Sequence, residues 1–243
     1  MYSFNLNDEN IVDLYDSPTK TIDQFETRLD QIGMTDESQG FIKTTEMVFD
    51  HIKNLNIPGF DYSPCGLGLW KAFEFELNAT FVDWIRLQKG ICISPPSTGK
   101  KTLKPLEQIK VYSGKNHSTR QYYFIDINKH NRNDYLLIPV MLNDIANLLQ
   151  HAKGNDLVQL TNGILSDYKN DIIGHLVDGK WTGLPADIRT VANEYRNGHA
   201  HTKVMTKDVF LEFKNFLLPS ETVNNSPLRR VLSYKREIWN NFS

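Results

Sequence analysis

Within the stretch Glu194-Tyr195-Arg196-Asn197-Gly198-His199-Ala200-His201, two side chains are suited to chemistry on a phosphate ester. The guanidinium of Arg196 stays charged at ordinary pH and can grip phosphate oxygens two at a time. The imidazole of His201 belongs to a class with an unperturbed pKa of about 6.5, so it can take or give a proton near neutrality. Asn197 follows the Arg directly and is a third candidate catalytic residue, and Glu194 and His199 are near enough in sequence to line the same place. His199 and His201 read poorly as metal ligands, because zinc usually needs three or four and no Cys or carboxylate cluster stands beside them. Neither a metal nor a cofactor is expected.

The element that must position these groups is a helix. From Pro185 to Arg196 the apolar residues Ile188, Val191, Ala192 and Tyr195 fall at i, i+3, i+4 and i+7, which is one helical face. Pro185 suits the first turn, where its missing N–H costs nothing. Arg196 then sits in the last turn, where the helix dipole favours a cation. Gly198 is the expected C-cap, since Gly tolerates the left-handed conformation. In an unbroken helix, residues five apart lie about 140° apart around the axis. A bend at Gly198 would bring His201 back toward Arg196, so the pair needs an irregular turn.

Arg196-Asn197, three further residues and His201 resemble the motif of HEPN-domain ribonucleases, in which an Arg and a His are separated by four to six residues. A helix leads into the Arg, and another follows from about Thr206. Lys71-Ala72-Phe73-Glu74-Phe75-Glu76-Leu77 is similar to a helix that many HEPN proteins carry ahead of the motif helix. The similarity spans roughly 63–93 and 140–218. It implies a metal-independent endoribonuclease that leaves a 2′,3′-cyclic phosphate and a 5′-OH. His201 would act on the ribose 2′-OH or on the leaving oxygen, and Arg196 would neutralise the scissile phosphate. It also implies a homodimer that pools two motifs, and a setting in a toxin–antitoxin or phage-defence system with an antitoxin or regulatory protein as partner. One of Glu74 and Glu76 could reach Arg196 and orient it, and Glu74 is a candidate to line the site. Glu74 and Glu76 lie about 200° apart on a helix and cannot both point into one site.

The chain has 243 residues, of which 40% are hydrophobic, enough to bury a core without covalent staples. Cys65 and Cys92 sit among apolar residues and read as buried free thiols. The N-terminus shows no secretory pattern, and no apolar run approaches 18 residues. A cytoplasmic protein with no membrane span is expected. The net charge of −2 makes the whole chain a poor electrostatic trap for nucleic acid. Its distribution is uneven, however. Between Lys100 and Arg132 eight basic residues face only Glu107 and Asp126, a local +6 that leaves −8 for the remainder. Lys100, Lys101, Lys104, Lys110, Lys115 and Arg120 make this segment a candidate RNA-binding surface, with Tyr122, and Tyr112 and Tyr123 nearby, able to stack on unpaired bases. Gly99-Lys100-Lys101-Thr102 is not a nucleotide P-loop, because the upstream Gly is missing.

The expected architecture is all-α, a HEPN-like antiparallel helical bundle forming one domain over 1–243. A basic, partly β insertion at about 95–134 interrupts it, with β-rich stretches at 108–112 and 122–127. Residues 1–20 read as a loose arm, and 21–32 as a short helix stopped by Gly33. Thr35 caps a helix with Phe41, Thr45, Val48, Ile52 and Leu55 at helical spacing. Ser63-Pro64 opens a helix running to about Gln88, roughly 40 Å long at 1.5 Å per residue. Its core stripe is Trp70, Phe73, Leu77, Phe81 and Trp84, widened by Leu67 and Ile85. Further helices are expected at 139–149, from 155 through Ile172 and Leu176, from Thr206 through Leu217, and over 227–239. The alternative function is a HEPN-like helical module that binds RNA or protein without cutting.

Overall fold

Residues 33–55, 57–88, 91, 110–115, 122–129, 137–150, 175–177, 180–201, 203–218 and 226–240 are described by a computed structural model. They are mostly helical. Among them, no helix is long and apolar enough to cross a membrane. The expected arm at 1–20, the helix at 21–32 and residues 155–174 of the later helix lie outside the described residues, as does Cys92.

Helix α1 spans Asp36–Ile52. Thr35 caps it as the sequence predicts, its hydroxyl accepting the Ser38 N–H at 3.3 Å. The buried face differs from the expected one: Val48 and Leu55 are exposed, and the inward residues are Ser38, Ile42, Thr45, Phe49 and Ile52. Two of these are polar because their hydroxyls bond the backbone of the neighbouring helix. Thr45 Oγ1 donates to the Cys65 carbonyl at 3.1 Å, and Ser38 Oγ donates to the Ala72 carbonyl at 3.3 Å. So short a reach requires close helix approach, which Gly68 permits. A Cβ there would lie 2.7 Å from the Phe41 carbonyl and would run into the Thr45 hydroxyl.

The neighbour, α2, spans Ser63–Leu77 and passes through a π-helical turn at Asn78–Val82 into α3, Asp83–Gln88. The helical path thus has the predicted extent. Pro64 sits in the first turn, but Ser63 is not the capping acceptor. Asp61 takes that role, its Oδ1 accepting the Ser63 N–H at 2.9 Å and the Ser63 hydroxyl at 2.6 Å. Trp70, Phe73, Leu77, Phe81, Trp84 and Ile85 are buried as expected, whereas Leu67 is 41% exposed and does not widen the stripe. Cys65 is a buried free thiol, its pKa pushed up to about 11 by burial and by the charge of Glu46. Glu76 is fully buried and structural. It accepts the Thr35 N–H at 2.8 Å and the Thr35 hydroxyl at 2.7 Å, and pairs with Lys235 at 3.0 Å.

Two buried polar side chains fasten the next part of the chain to this helix. Asn78 clips the main chain of Val140 from both sides, Oδ1 accepting its N–H at 2.8 Å and Nδ2 donating to its carbonyl at 3.0 Å. Arg86 donates to the carbonyls of Ile127 and Ile138, both at 2.8 Å, and pairs with Asp83. Buried carbonyls and a buried cation satisfy each other there, which removes most of the cost of enclosing either.

The segment expected to be partly β forms a hairpin. Strand β1, Lys110–Lys115, pairs antiparallel with β2, Tyr122–Asp126, with a bulge between Tyr112 and Gly114. Helix α4 follows at Leu142–Gln150, and β1 runs alongside it. A second short hairpin joins β3, His175–Val177, to β4, Lys180–Thr182. Leu176 therefore lies in a strand, not in the helix expected to continue through it. Val177 pairs with Lys180, and the sequence between them, Asp-Gly, is a dipeptide favoured in two-residue hairpin loops.

The C-terminal helices are α7, Lys207–Leu217, and α8, Pro227–Asn240. Thr206 caps α7 by accepting the Val209 N–H. Phe210, Phe213 and Leu217 from α7, and Leu228, Val231, Leu232 and Ile238 from α8, enter the same core as α1 to α3. Each such aromatic or aliphatic side chain stabilises the fold by roughly 1.5–3 kcal/mol relative to exposure.

Candidate functional site

The motif helix has three parts: α5 at Leu184–Thr190, a π-helical stretch at Val191–Asn197, and α6 at Gly198–His201. Pro185 lies in its first turn, and Ile188, Val191, Ala192 and Tyr195 are buried as the spacing predicts. Gly198 is not a C-cap. Its φ of −61° and ψ of −45° are right-handed helical, and the chain continues as helix to His201. The irregular turn exists, but as a π-helical stretch ahead of the Gly rather than a break at it. π-turns insert an extra residue per turn and recur at functional sites. Beyond His201 the Lys203 N–H closes onto the Gly198 carbonyl at 2.9 Å, again five residues back.

Tyr195 anchors this helix. Its ring stacks on Phe213 of α7 with centroids 4.4 Å apart, and its hydroxyl donates to Glu212 at 3.3 Å. Burial, then the nearby carboxylates of Glu212 and Glu194, push its pKa up to about 12, so it stays protonated at physiological pH.

Arg196, the next residue, is half-buried and lies close to Glu74 of α2. Burial raises the pKa of Glu74. The Arg196 charge, a hydrogen bond from the Leu142 N–H and the Lys71 charge oppose that rise. Leu142 is the first residue of α4, so the carboxylate meets the positive end of a helix and also feels the Arg196 charge. Among the described residues, Glu74 Oε1 is enclosed and has no hydrogen-bond partner. Three elements thus converge here, and Glu74 rather than Glu76 is the carboxylate at the motif.

His199 is half-buried, three residues on from Arg196. Residues three apart neighbour each other on a helix surface. Its Nδ1 is enclosed without a hydrogen-bond partner among the described residues, and its backbone carbonyl accepts the Ser63 hydroxyl at 3.3 Å. The positions of Arg196 and His201 lie roughly 120–140° apart around the axis, since most of the steps between them are α-helical. The side chain of His201 lies outside the described residues. Asn197 and Glu194 are exposed on the same stretch.

Asp61 is the residue that sequence reasoning missed. Besides capping α2, its Oδ1 accepts the Met205 N–H at 3.0 Å, while the Tyr62 N–H donates to the Met205 carbonyl at 2.8 Å. This two-sided clip ties the segment leaving the motif to the start of α2. Burial would raise the Asp61 pKa, but hydrogen bonds from Ser63 and Met205 and the proximity of His199 bring it below the usual value. The available signal was an Asp two residues ahead of a Ser-Pro helix start, a common capping arrangement.

Of the predicted RNA-binding residues, Lys110 and Lys115 lie on β1 and Tyr122 on β2, with Lys115 opposite Tyr122 in the register. Their side chains, and all of Lys100, Lys101, Lys104 and Arg120, lie outside the described residues. Among the described residues no group of three or more His, Cys, Asp or Glu could hold a metal ion. Comparison with protein-family models, with curated proteins and with solved structures finds no match to this chain.

Proposed function

We propose that the chain is a metal-independent endoribonuclease with Arg196 and His201 at its centre. The 2′-oxygen of a ribose attacks the adjacent phosphorus and the bond to the 5′-oxygen breaks. The proton leaves the 2′-OH and ends on the 5′-oxygen, giving a 2′,3′-cyclic phosphate and a 5′-OH. His201 carries a proton in this exchange, while Arg196 balances the charge that gathers on the phosphoryl oxygens. The observation that carries the reading is the setting of Arg196. It is half-buried on a π-helical stretch beside Glu74, a carboxylate that itself takes the first N–H of α4. A partly enclosed guanidinium meets a phosphate with less competing water, which is where electrostatic catalysis gains most. The basic hairpin runs alongside the same α4 and offers a path for the flanking strand.

Pairing of two protomers, a toxin–antitoxin or defence role with a regulatory partner, and a cytoplasmic location belong to the same proposal. The test is incubation of end-labelled RNA in EDTA with wild type and with His201→Ala. Cleavage by the first alone supports the reading, and equal cleavage by both removes it.

One observation favours a second reading. Helix continues through Gly198, which keeps the positions of Arg196 and His201 well apart around the axis. A helical module that binds RNA or protein without cutting needs no closer approach. In that case Arg196→Ala would weaken binding and no cyclic phosphate would form with any variant.

A further inference from the structure

The proposed mechanism leaves the imidazole of His199 unused. It shares a helix face with Arg196, three residues before it. Its backbone is held, because the Ser63 hydroxyl donates to its carbonyl and the same hydroxyl is bound to Asp61. The segment just beyond is held by the Asp61–Met205 clip. The residue is half-buried, and its Nδ1 is enclosed and meets no partner among the described residues.

That enclosure fixes where a proton resides. Buried N–H groups left without an acceptor are rarer in folded proteins than under-satisfied acceptors, so the enclosed Nδ1 is taken as the bare nitrogen of the neutral ring, with the proton on Nε2. The cationic ring has one there too. In both states Nε2 is therefore a donor, and the nitrogen that could accept a proton is sealed away. A ring in this condition is a poor general base and a good hydrogen-bond donor. Among the described residues no hydrogen bond joins this ring to the Asp61 carboxylate, whose Oδ1 takes the Ser63 N–H, the Ser63 hydroxyl and the Met205 N–H. The other charged groups nearby are Arg196 on the same face and Lys203, whose Cδ would lie 3.9 Å from a Cβ at Gly198.

We infer that Arg196 and His199 together form a phosphodiester-binding subsite, in which His199 donates from Nε2 to a non-bridging phosphate oxygen and takes no part in proton transfer. This builds on the ribonuclease reading by dividing labour between the two histidines of the motif: His199 holds the phosphate and His201 moves the proton.

The test rests on side-chain mimicry. The amide nitrogen of Gln reaches about as far as His Nε2 and donates without titrating, whereas Ala donates nothing. Binding of a fluorescein-labelled single-stranded RNA of about twenty nucleotides is measured by anisotropy in EDTA, using the full chain in a His201→Ala background. Cleavage is measured separately with His201 intact, across pH 5 to 9, and melting temperatures check that each variant folds. Adding His199→Ala is expected to weaken binding roughly tenfold or more, as for one lost hydrogen bond to a charged group. His199→Gln should stay within about threefold of its parent and retain cleavage with an unshifted pH profile. Unchanged binding in His199→Ala overturns the inference. So does loss of cleavage in both His199 variants at unchanged affinity, which would make His199 a proton carrier. If the wild type yields no cyclic phosphate while the binding pattern holds, the subsite stands and the ribonuclease reading falls.

Discussion

Replacing Gly198 by Ala should stabilise the protein. The backbone there is right-handed helical, with φ −61° and ψ −45°. A Cβ would meet the Asn193 carbonyl at 3.8 Å and the Lys203 Cδ at 3.9 Å, both ordinary contacts. No strain or overlap then opposes the substitution, and the helical preference of Ala over Gly remains, roughly 0.5–1 kcal/mol. For a chain of this size that is a rise in melting temperature of roughly 1–4 °C. Urea unfolding followed by circular dichroism gives the free energy, and a thermal scan gives the shift. If Gly198 instead ended the helix in a left-handed conformation, Ala would destabilise by about 1 kcal/mol. A loss of that size would refute the continuous helix through the motif, and with it the placement of His199 on the face of Arg196.

Three other perturbations have definite outcomes. Gly68→Ala must force α1 from α2 against the Phe41 carbonyl and strain the Thr45 and Ser38 hydrogen bonds, a net loss of about 2–4 kcal/mol in urea melts; a neutral result would contradict the close crossing. Arg86→Ala leaves the Ile127 and Ile138 carbonyls without their donor and Asp83 without its partner, so a loss of about 3–5 kcal/mol is expected, and one under about 1 kcal/mol would contradict its role as a tether. Glu74→Gln tests a pH dependence. Burial, outweighing Arg196, the Leu142 N–H and Lys71, raises the folded-state pKa of Glu74, so the folded chain binds more protons than the unfolded one above the ordinary Glu value of about 4.3. The wild type must lose stability from this group as pH rises through that window, and the Gln variant must not. Parallel stability–pH curves for the two proteins would contradict it.

Helix positions were legible wherever apolar spacing and a cap coincided. Thr35, Pro64, Pro185 and Thr206 each mark a start that the structure contains. Less legible was which face is buried when polar side chains bond across an interface. Ser38 and Thr45 turn inward because Gly68 brings a backbone within reach, and that depends on a residue twenty or more positions away. Asn78 and Arg86 escaped for the same reason, since their partners at Val140, Ile127 and Ile138 are distant in sequence. Leu176 has an apolar spacing that suits a helix as well as a strand, and the Asp-Gly dipeptide that follows Val177 in the sequence is the signal that favours the strand. At the motif, the need for an irregular turn followed from helix geometry, but its form did not. Gly198 looked like the break, and the π-helical stretch before it has no residue-type signature. The proximity of Glu74 to Arg196 was open in the sequence as one of two carboxylates, and only the fold separates it from Glu76.

The most direct measurement is the chemistry of the product ends. A defined single-stranded RNA is incubated in EDTA with wild type, Arg196→Ala and His201→Ala, and the fragments are analysed by mass spectrometry, with melting temperatures confirming that the variants fold. The wild type is predicted to yield fragments ending in 2′,3′-cyclic phosphate and beginning with 5′-OH, and neither variant to yield any. Intact RNA with the wild type, or the same fragments from a folded variant, would contradict the ribonuclease reading.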